Sequence, residues 1–265
     1  MHHSALLNVM IAAARKTARA LKRDFGELEK LQVSLKGPGN FVTAADRRAE
    51  ETLYAELMKA RPGYGFLGEE GGRREGADKT HTWMVDPLDG TTNFLHGIPH
   101  FAISIALERE GTVVAGLIYN PASEDMFIAE RGKGAFLNEQ RIRVAGRKRL
   151  GDAIVACGLA HHGHGDIARS RRETGAIQEH VVGLRRFGSA ALDLAWIAAG
   201  RLDGYWERDL KPWDMAAGVI LVREAGGFVT DCDGSEDMFQ KGHIAAGNEA
   251  IQKELLAVLK IAAKA

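Results

Sequence analysis

The stretch WMVDPLDGTTNFLHG, from Trp83 to Gly97, begins like a buried β-strand and then turns abruptly polar. Three apolar residues lead into Asp86, and the residues that follow include a proline, a second aspartate, a glycine and two threonines. A short apolar run that ends in turn residues is typical of a strand inside a sheet. The stretch therefore predicts a rigid strand that carries two carboxylates and several hydroxyl groups to the edge of a sheet.

Strands are predicted to continue through residues 83–137. The segment FAISIALEREGTVVAGLIYNP alternates apolar and small residues around a turn at Glu110-Gly111, which indicates a β-hairpin. The segments EDMFIAE and GAFLN extend the same pattern. This part of the chain is therefore predicted to be a meander of strands.

Two helices are predicted before these strands. Apolar residues at helical spacing over residues 5–28 indicate a helix face that packs on a core. Thr43 and Asp46 fit a capping box that opens a second helix, and Arg61-Pro62-Gly63 ends it. The segment VSLKGPGNFVT, residues 33–43, is predicted to be a Gly/Pro loop between the two helices.

The C-terminal half has a different character, because short apolar runs alternate with helical patterns from Ala153 onward. This alternation is typical of an α/β arrangement. Two predicted helices, near residues 189–199 and 214–225, are apolar almost all round, so each must be covered on more than one side. The sequence therefore predicts a layered α/β (α+β) fold with helices between sheets. It also predicts two subdomains, 1–147 and 148–265, that form one compact unit.

Composition excludes several classes of protein. The 265 residues include 35 Lys+Arg and 35 Asp+Glu, so no basic excess points to nucleic acid or to an acidic membrane surface. Two cysteines, Cys157 and Cys232, are too few for a disulfide framework and indicate free thiols in a reducing compartment. No apolar run approaches the ~18 residues of a membrane span, and the N-terminus lacks a signal pattern. We expect a cytoplasmic protein.

Acidic residues stand at the ends of several apolar segments: Glu69 with Glu70, Asp86, Asp89 and Asp214, with Asp46 as a further candidate. Clustered carboxylates repel one another, so they remain charged only beside a cation. Oxygen ligands without His or Cys suit hard cations, above all Mg²⁺, which also binds substrate phosphate. The backbone N–H groups of Gly90, Thr91 and Thr92 can form an anion-binding nest beside these carboxylates.

Each acidic residue also has an ordinary structural explanation. Asp46 fits a capping box, Asp214 fits a helix dipole, and Glu69-Glu70 fits a solvated loop. Asp86-Pro87 and Asp89-Gly90 are common turn dipeptides, so only the combination indicates a metal and phosphate site. The D-x-D motif of haloacid-dehalogenase phosphatases does not fit, because two residues separate the aspartates and the motif lies far from the N-terminus.

Three motifs in order resemble the inositol monophosphatase family, and the bacterial members in particular. They are GEE at 68–70, WMVDPLDGTTNFLHGIP at 83–99 and PWDMAAGVILVREAGG at 212–227, and the resemblance extends from NFVTAAD at 40–46 to the last helix. The family comprises Mg²⁺-dependent, typically lithium-sensitive phosphomonoesterases. The resemblance implies an αβαβα sandwich and two or three Mg²⁺ ions per active site.

The resemblance also implies roles for individual metal ligands. Glu69, Asp86 and the backbone oxygen of Leu88 would hold the first ion. Asp86, Asp89 and Asp214 would hold the second, and Glu69 would reach a third through waters.

Further roles concern the attacking water and the substrate. Thr91, paired with Asp46, would orient and deprotonate the water, and Glu70 would lie beside it. Gly90, Thr91 and Thr92 would hold the phosphate. The substrate hydroxyls would be contacted by Ser189, Ala190 and Glu207. The substrate would also contact Asp89 and Asp214 at the same site.

The implied function is hydrolysis of inositol 1-phosphate by a homodimer. Fructose 1,6-bisphosphate, 3′-phosphoadenosine 5′-phosphate and histidinol phosphate are alternative substrates, since the relatives share these motifs. Some bacterial relatives contact the transcription machinery, so a binding role through Arg185-Arg186 or the basic run Arg141–Arg149 is a further alternative.

Two segments depart from the simplest pattern. The family often has Asp where this chain has Asn40, which removes a charge near the loop with Lys36 and puts the third metal site in doubt. The run HHGHGD, residues 161–166, is rich in histidine, but its spacing does not place the rings on one helix face. An exposed loop near the substrate mouth fits it better than a transition-metal site.

Overall fold

The computed structural model describes residues 3–28, 33–37, 40–161 and 163–263, with only the backbone described at 33–37 and 40–43. Within these ranges the helices are α1 Ala5–Phe25, α2 Ala44–Ala60, α3 Thr91–Leu95, α4 Ile167–Gln178, α5 Ala190–Ala198, α6 Pro212–Glu224, α7 Met238–Lys241 and α8 Glu249–Ala262. The strands before residue 110 are β1 Val33–Gly37, β2 Asn40–Thr43, β3 Gly65–Gly68, β4 Gly72–Arg74, β5 His81–Asp89 and β6 Ala102–Arg109. The later strands are β7 Thr112–Asn120, β8 Asp125–Glu130, β9 Gly134–Leu137, β10 Gln140–Ile142, β11 Ile154–Cys157, β12 Gly183–Arg185, β13 Gly204–Glu207, β14 Phe228–Thr230 and β15 Ile244–Gly247.

Two large sheets organise these elements. The first has the strand order β10-β9-β8-β7-β6-β5-β3-β4, in which β3 and β5 run parallel and the other neighbours antiparallel. The predicted hairpin at Glu110-Gly111 joins β6 to β7, and both residues have positive φ. The second sheet has the order β12-β11-β13-β15-β14 and is mixed, with β11 parallel to both of its neighbours.

The layers follow from which helix faces are apolar. Helices α1 and α2 cover one face of the first sheet, and α5 and α6 fill the space between the two sheets. Helices α4 and α8 cover the outer face of the second sheet. The predicted αβαβα layering is therefore confirmed. Helices α5 and α6 are buried almost all round, as their apolar sequences predict, and this is why they lie between the two sheets.

The prediction for residues 33–43 is wrong, since this segment forms an antiparallel hairpin of β1 and β2 rather than a loop. Val33 pairs with Thr43, and Gly37 pairs with Asn40, so strand pairing extends up to the Gly/Pro connection. Valine and threonine favour strands, and glycine with proline marks only the link between two of them. Pro38 and Gly39 lie outside the described residues, as do the side chains of Lys36, Asn40 and Thr43, on which the metal-affinity and capping predictions depend.

Several further features of the fold can be compared with the sequence-based predictions. Helix α1 ends at Phe25, three residues before its predicted end, and α7 was not predicted. Both cysteines are free and buried, which agrees with the prediction of free thiols. No helix in the described ranges is both long and apolar enough to span a membrane. The division into subdomains 1–147 and 148–265 stays a prediction.

Candidate active site

The end of strand β5 carries the first two aspartates on a β-bulge. Asp86 pairs with Ser104 of β6 and Asp89 with Ala102, so one extra residue is inserted on the β5 side. Such a bulge bends the strand and re-aims its side chains. The Leu88 N–H donates to Asp86 Oδ1 at 2.9 Å, while the Leu88 side chain is buried in the core below α2. Because its side chain is apolar and buried, Leu88 can offer a ligand atom only through its backbone carbonyl oxygen.

Gly90 connects this bulge to the short helix α3. Its φ of 91° lies in the left-handed region, and a Cβ there would lie 3.0 Å from the carbonyl oxygen of His100. Only glycine avoids both the backbone strain and the close contact. The turn places the backbone N–H groups of Thr91 and Thr92 at the start of α3.

Thr91 lies between the bulge and helix α2. Its Oγ1 is 3.2 Å from Asp46 Oδ1 and 3.0 Å from the Leu88 carbonyl oxygen. Asp46 lies in the first turn of α2 and is 1% exposed. A hydroxyl group has one proton, so Thr91 can donate to either acceptor but not to both at once. The geometry thus couples a threonine at the cavity wall to a buried carboxylate.

Asp89 is held by the N-terminal end of α5, which comes from the other half of the chain. Ser189 Oγ donates to Asp89 Oδ2, and the Ala191 N–H donates to the same oxygen at 2.8 Å. Ser189 is also the N-cap of α5, because its Oγ accepts from the Leu192 N–H. Two donors on one oxygen fix the orientation of the carboxylate.

Asp214 stands in the first turn of α6. Pro212 opens this helix, and the Lys211 N–H donates to Asp214 Oδ2 at 2.6 Å as part of a capping box. The helix-dipole explanation and the ligand explanation are compatible, because a capped carboxylate keeps its second oxygen for other contacts.

Glu69 and Glu70 follow strand β3 in a turn that a third glutamate holds. Glu50, from the inner face of α2, accepts from the Glu70 N–H at 2.7 Å and from the Gly71 N–H at 2.6 Å. Glu50 is 4% exposed, and a Cβ at Gly68 would lie 2.4 Å from its Oε2. The sequence-based prediction did not include Glu50. The available signal was a glutamate at i, i+3 and i+7 spacing with the buried residues Leu53 and Leu57.

These segments surround a cavity of about 260 Å³. Its walls include Glu69, Asp86, Leu88, Asp89, Gly90, Thr91, Thr92, Ser189, Ala190, Glu207 and Asp214, which are eleven of the thirteen predicted site residues. Asp46 is not among the described residues of the wall, and its Oδ1 contacts Thr91, which is. Glu70 is likewise absent from the cavity wall as the described residues form it.

The carboxylates of this cavity affect one another. Burial, reinforced by Glu69, Asp89 and Asp214, raises the pKa of Asp86 well above its usual value. Burial likewise raises the pKa of Asp89 to about 6 and that of Asp214 well above its ordinary range. Mutual repulsion of this kind is relieved by a proton or by a bound cation.

The oxygen atoms of these side chains suit a hard cation that keeps part of its water shell. In the described part of the chain, no three Asp, Glu, His or Cys side chains converge closely enough to form a complete ligand group. The acidic residues line the same cavity and offer oxygen ligands. Oxygen ligands suit hard cations such as Mg²⁺, which keeps several waters and completes its shell with substrate phosphate.

Glu207, at the end of β13, lines the same cavity. The Tyr205 hydroxyl donates to Glu207 Oε2, and burial raises the pKa of Glu207 to about 7. A Cβ at Gly158 would lie 1.8 Å from the carboxyl carbon of Glu207, so glycine is required there for this side chain to fit. The cavity thus combines the acidic residues of the first sheet with a further buried carboxyl group from the second sheet.

The histidine-rich segment also reaches the cavity. His161 and His164 pair as an isolated bridge, their rings stack with centroids 4.9 Å apart, and both line the wall. His162 lies outside the described residues. The segment is therefore placed at the mouth of the cavity, where the loop interpretation put it.

Comparisons with known proteins agree with this geometry. The model of the inositol monophosphatase family matches residues 2–263. A Mesorhizobium japonicum protein named inositol-1-monophosphatase is 60% identical over 98% of this chain and 98% of its own. A Pseudomonas aeruginosa protein named Nus factor SuhB is 42% identical over 96% of each chain. The solved structure of extragenic suppressor protein suhB from Bartonella henselae has a TM-score of 0.94 and 56% identity, and the match covers 97% of this chain and 99% of that one.

Proposed function

The chain belongs to the inositol monophosphatase family of metal-dependent phosphatases, and we propose that it hydrolyses inositol 1-phosphate to inositol and phosphate with Mg²⁺. The observation that carries this proposal is one cavity that combines the acidic wall with Thr91, whose hydroxyl meets a buried carboxylate. Such a cavity supplies ligands for a hard cation. It also supplies a route for a proton that leaves the attacking water.

Two or three Mg²⁺ ions are proposed. The first would be held by Glu69, Asp86 and the Leu88 carbonyl oxygen, and the second by Asp86, Asp89 and Asp214. Glu69 would contact a third through waters. When bound, these ions would lower the pKa of water and neutralise charge on the phosphate oxygens.

The residues around Thr91 would handle the proton of the attacking water. The Thr91 hydroxyl would accept that proton and pass its own to Asp46, whose Oδ1 lies 3.2 Å away. Because Asp46 is almost fully buried, its carboxylate is held in place by packing and does not reorient for each turnover. Glu70, on the turn held by Glu50, would stay beside the water network.

The substrate would lie across the cavity. The N–H groups of Gly90, Thr91 and Thr92 would bind phosphate oxygens, as a turn at a helix start allows. The leaving inositol would extend toward its proposed hydroxyl contacts, which are Ser189, Ala190 and Glu207, with Asp89 and Asp214 beside them. A buried acceptor such as Glu207 penalises a substrate that lacks the matching hydroxyl.

Phosphate release from a panel of esters tests this proposal. The panel contains inositol 1-phosphate, fructose 1,6-bisphosphate, 3′-phosphoadenosine 5′-phosphate and histidinol phosphate, each with and without Mg²⁺ and Li⁺. We expect inositol 1-phosphate to have the highest kcat/KM, with Li⁺ inhibiting the reaction. A higher kcat/KM for another ester would replace the proposed substrate and leave the metal chemistry in place.

A binding role is the second candidate, favoured by the relatives named Nus factor SuhB at 39–42% identity. Arg185 and Arg186 are exposed, and Arg186 also lines the cavity. In the basic run, Arg147 pairs with Asp203 at 3.0 Å and Arg149 with Asp152 at 2.8 Å, so this run is less available. The Asp86→Asn variant separates the roles, since a cellular phenotype that survives it would require binding without catalysis.

The remaining proposals concern the assembly. We propose a cytoplasmic homodimer whose subdomains 1–147 and 148–265 enclose the active site between them. Light scattering at micromolar concentration should give twice the mass of the 28.8 kDa chain. A monomer at that concentration would contradict the dimer.

A further inference from the structure

Asp193 is a buried carboxyl group that the proposed chemistry leaves without a role. It lies in the first turn of α5 and is 1% exposed. Its Oδ1 is fully buried and has no hydrogen-bond partner among the residues that the structure describes. A buried polar atom without a partner costs roughly 1–3 kcal/mol, so its presence needs a cause.

Other buried carboxylates of the same chain show how a purely structural group is satisfied. Asp203, 2% exposed, accepts from Arg147 Nη1 at 3.0 Å and from the Ile154 N–H at 2.9 Å. Asp231, 0% exposed, accepts from the Asp233 and Ser235 N–H groups at 2.8 Å each. Asp193 differs from both, because the fold provides no donor for its Oδ1 within the described ranges.

The surroundings of Asp193 indicate what the missing partner is. Asp193 contributes to the wall of the same cavity, together with Glu207 and Gly158. The charged groups that act on it are Glu207 and Asp89, which are like-charged, and Arg186, which is opposite in sign. Burial first and Glu207 second raise the pKa of Asp193 well above its ordinary value. A protonated carboxyl can donate one hydrogen bond and accept others.

We propose that Asp193 is a specificity-determining residue that, with Glu207, binds two hydroxyl groups of the leaving alcohol. This inference rests on the proposed phosphatase function and narrows its substrate class. That class is monophosphate esters of polyols with neighbouring free hydroxyls. A second phosphate would be disfavoured beside these two carboxyl groups, because the ionised form of either group repels it strongly in a desolvated site. They would also disfavour alcohols without hydroxyls, which leave both groups unpaired.

The test compares inositol 1-phosphate with 4-nitrophenyl phosphate, whose leaving group has no free hydroxyl in the ester. In Asp193→Ala we expect the ratio of their kcat/KM values to fall about 10- to 100-fold, mostly through the KM of the inositol ester. The value for 4-nitrophenyl phosphate should change less than about threefold, and that for fructose 1,6-bisphosphate should rise. Asp193→Asn, which keeps a donor and an acceptor, should retain most of the ratio.

Stability separates this role from a structural one. Removing an unpaired buried oxygen should leave the melting temperature of Asp193→Ala unchanged or higher. The matched control Asp203→Ala should lower the melting temperature and leave the substrate ratio unchanged. If Asp193→Ala does not fold, Asp193→Leu replaces it, because leucine is apolar and close in size to aspartate. The same change in the substrate ratio is expected for Asp193→Leu.

The outcomes distinguish the inference from the function on which it rests. A wild-type preference for the inositol ester that persists in Asp193→Ala and in Asp193→Leu overturns the inference alone. A wild-type enzyme without that preference overturns both the inference and the proposed substrate. A lower ratio in Asp203→Ala would show that the effect is a general loss of packing and would also overturn the inference.

Discussion

Ser189 Oγ donates a hydrogen bond to Asp89 Oδ2, although 100 residues separate them in the chain. The contact joins the N-cap of α5, between the two sheets, to the end of β5 in the first sheet. Together with the Ala191 N–H it fixes the carboxylate proposed to hold the second ion. Both halves of the chain are thus needed to hold this carboxylate in its orientation.

Replacing Ser189 by alanine should weaken Mg²⁺ binding. Loss of a group that orients a ligand typically costs 10- to 100-fold in metal affinity or activity. Loss of the N-cap should also lower the free energy of unfolding by about 1 kcal/mol. Ser189→Thr keeps the hydroxyl and serves as the control. Activity titrated against Mg²⁺ measures the effect, and an unchanged midpoint in Ser189→Ala would contradict it.

Glu50→Gln should loosen the turn that carries Glu69. The Glu70 and Gly71 N–H groups meet different oxygens of Glu50, and glutamine replaces one of these oxygens by an NH2 group that cannot accept. We expect kcat/KM to fall about tenfold and the Mg²⁺ midpoint to rise. Glu51→Gln changes the exposed neighbour by the same chemistry and should have no effect. Equal losses in the two variants would show that Glu50 has no special role.

Thr91→Val should remove the proton route to Asp46 while keeping the shape of the side chain. The expected loss is about 10²- to 10⁴-fold in kcat, as for removal of a general base. KM should change little, since the phosphate contacts proposed here are backbone N–H groups. Thr91→Ser retains the hydroxyl and should keep most of the rate. A small loss in Thr91→Val, similar to that in Thr91→Ser, would exclude the hydroxyl from the reaction.

The buried side chain of His100 should make the folded protein less stable in acid. Burial lowers its pKa to about 4, whereas an unfolded histidine titrates near ~6.5. As the pH falls, the unfolded chain therefore binds a proton at this histidine before the folded chain does. The contribution of neutral His100 to folding stability is fully present above pH ~6.5 and is lost as the pH falls toward 4. His100→Phe keeps an aromatic ring against Phe187 and Trp196, whose centroids lie 5.4 and 5.0 Å from that of His100.

The measurement for His100 is urea unfolding of both proteins at about pH 7 and about pH 5. Wild type should lose about 1–2 kcal/mol more stability than His100→Phe over this range, after allowance for the partly exposed ring. Equal losses would show that the ring of His100 is solvated and titrates normally.

Local patterns were sufficient for much of the fold. The apolar run before Asp86 predicted β5, and the all-round apolar character of α5 and α6 predicted their position between two sheets. The hairpin at 33–43 was missed because a Gly/Pro connection dominated a short segment of strand-forming residues. Local pattern is weakest where the elements are shortest.

The candidate site divides in the same way. Its acidic residues follow strands or open helices, positions that a single sequence shows. Glu50 and Asp193 are different, because their importance depends on partners in other elements. Glu50 holds backbone N–H groups 20 or more residues away, and Asp193 matters through a partner that is missing at its Oδ1 within the described residues. Such relationships exist only once the layers are assembled.

The most direct test is phosphate release from inositol 1-phosphate by wild type and Asp86→Asn, measured side by side from chelated metal to millimolar Mg²⁺. Asp86 is the residue proposed to contact both ions, and asparagine keeps its size while removing its charge. We predict release by wild type that requires Mg²⁺, and a loss of at least about 10³-fold in Asp86→Asn at every Mg²⁺ concentration. Release that persists in chelator, or an Asp86→Asn variant as active as wild type, would contradict a metal-dependent phosphatase site at the end of β5.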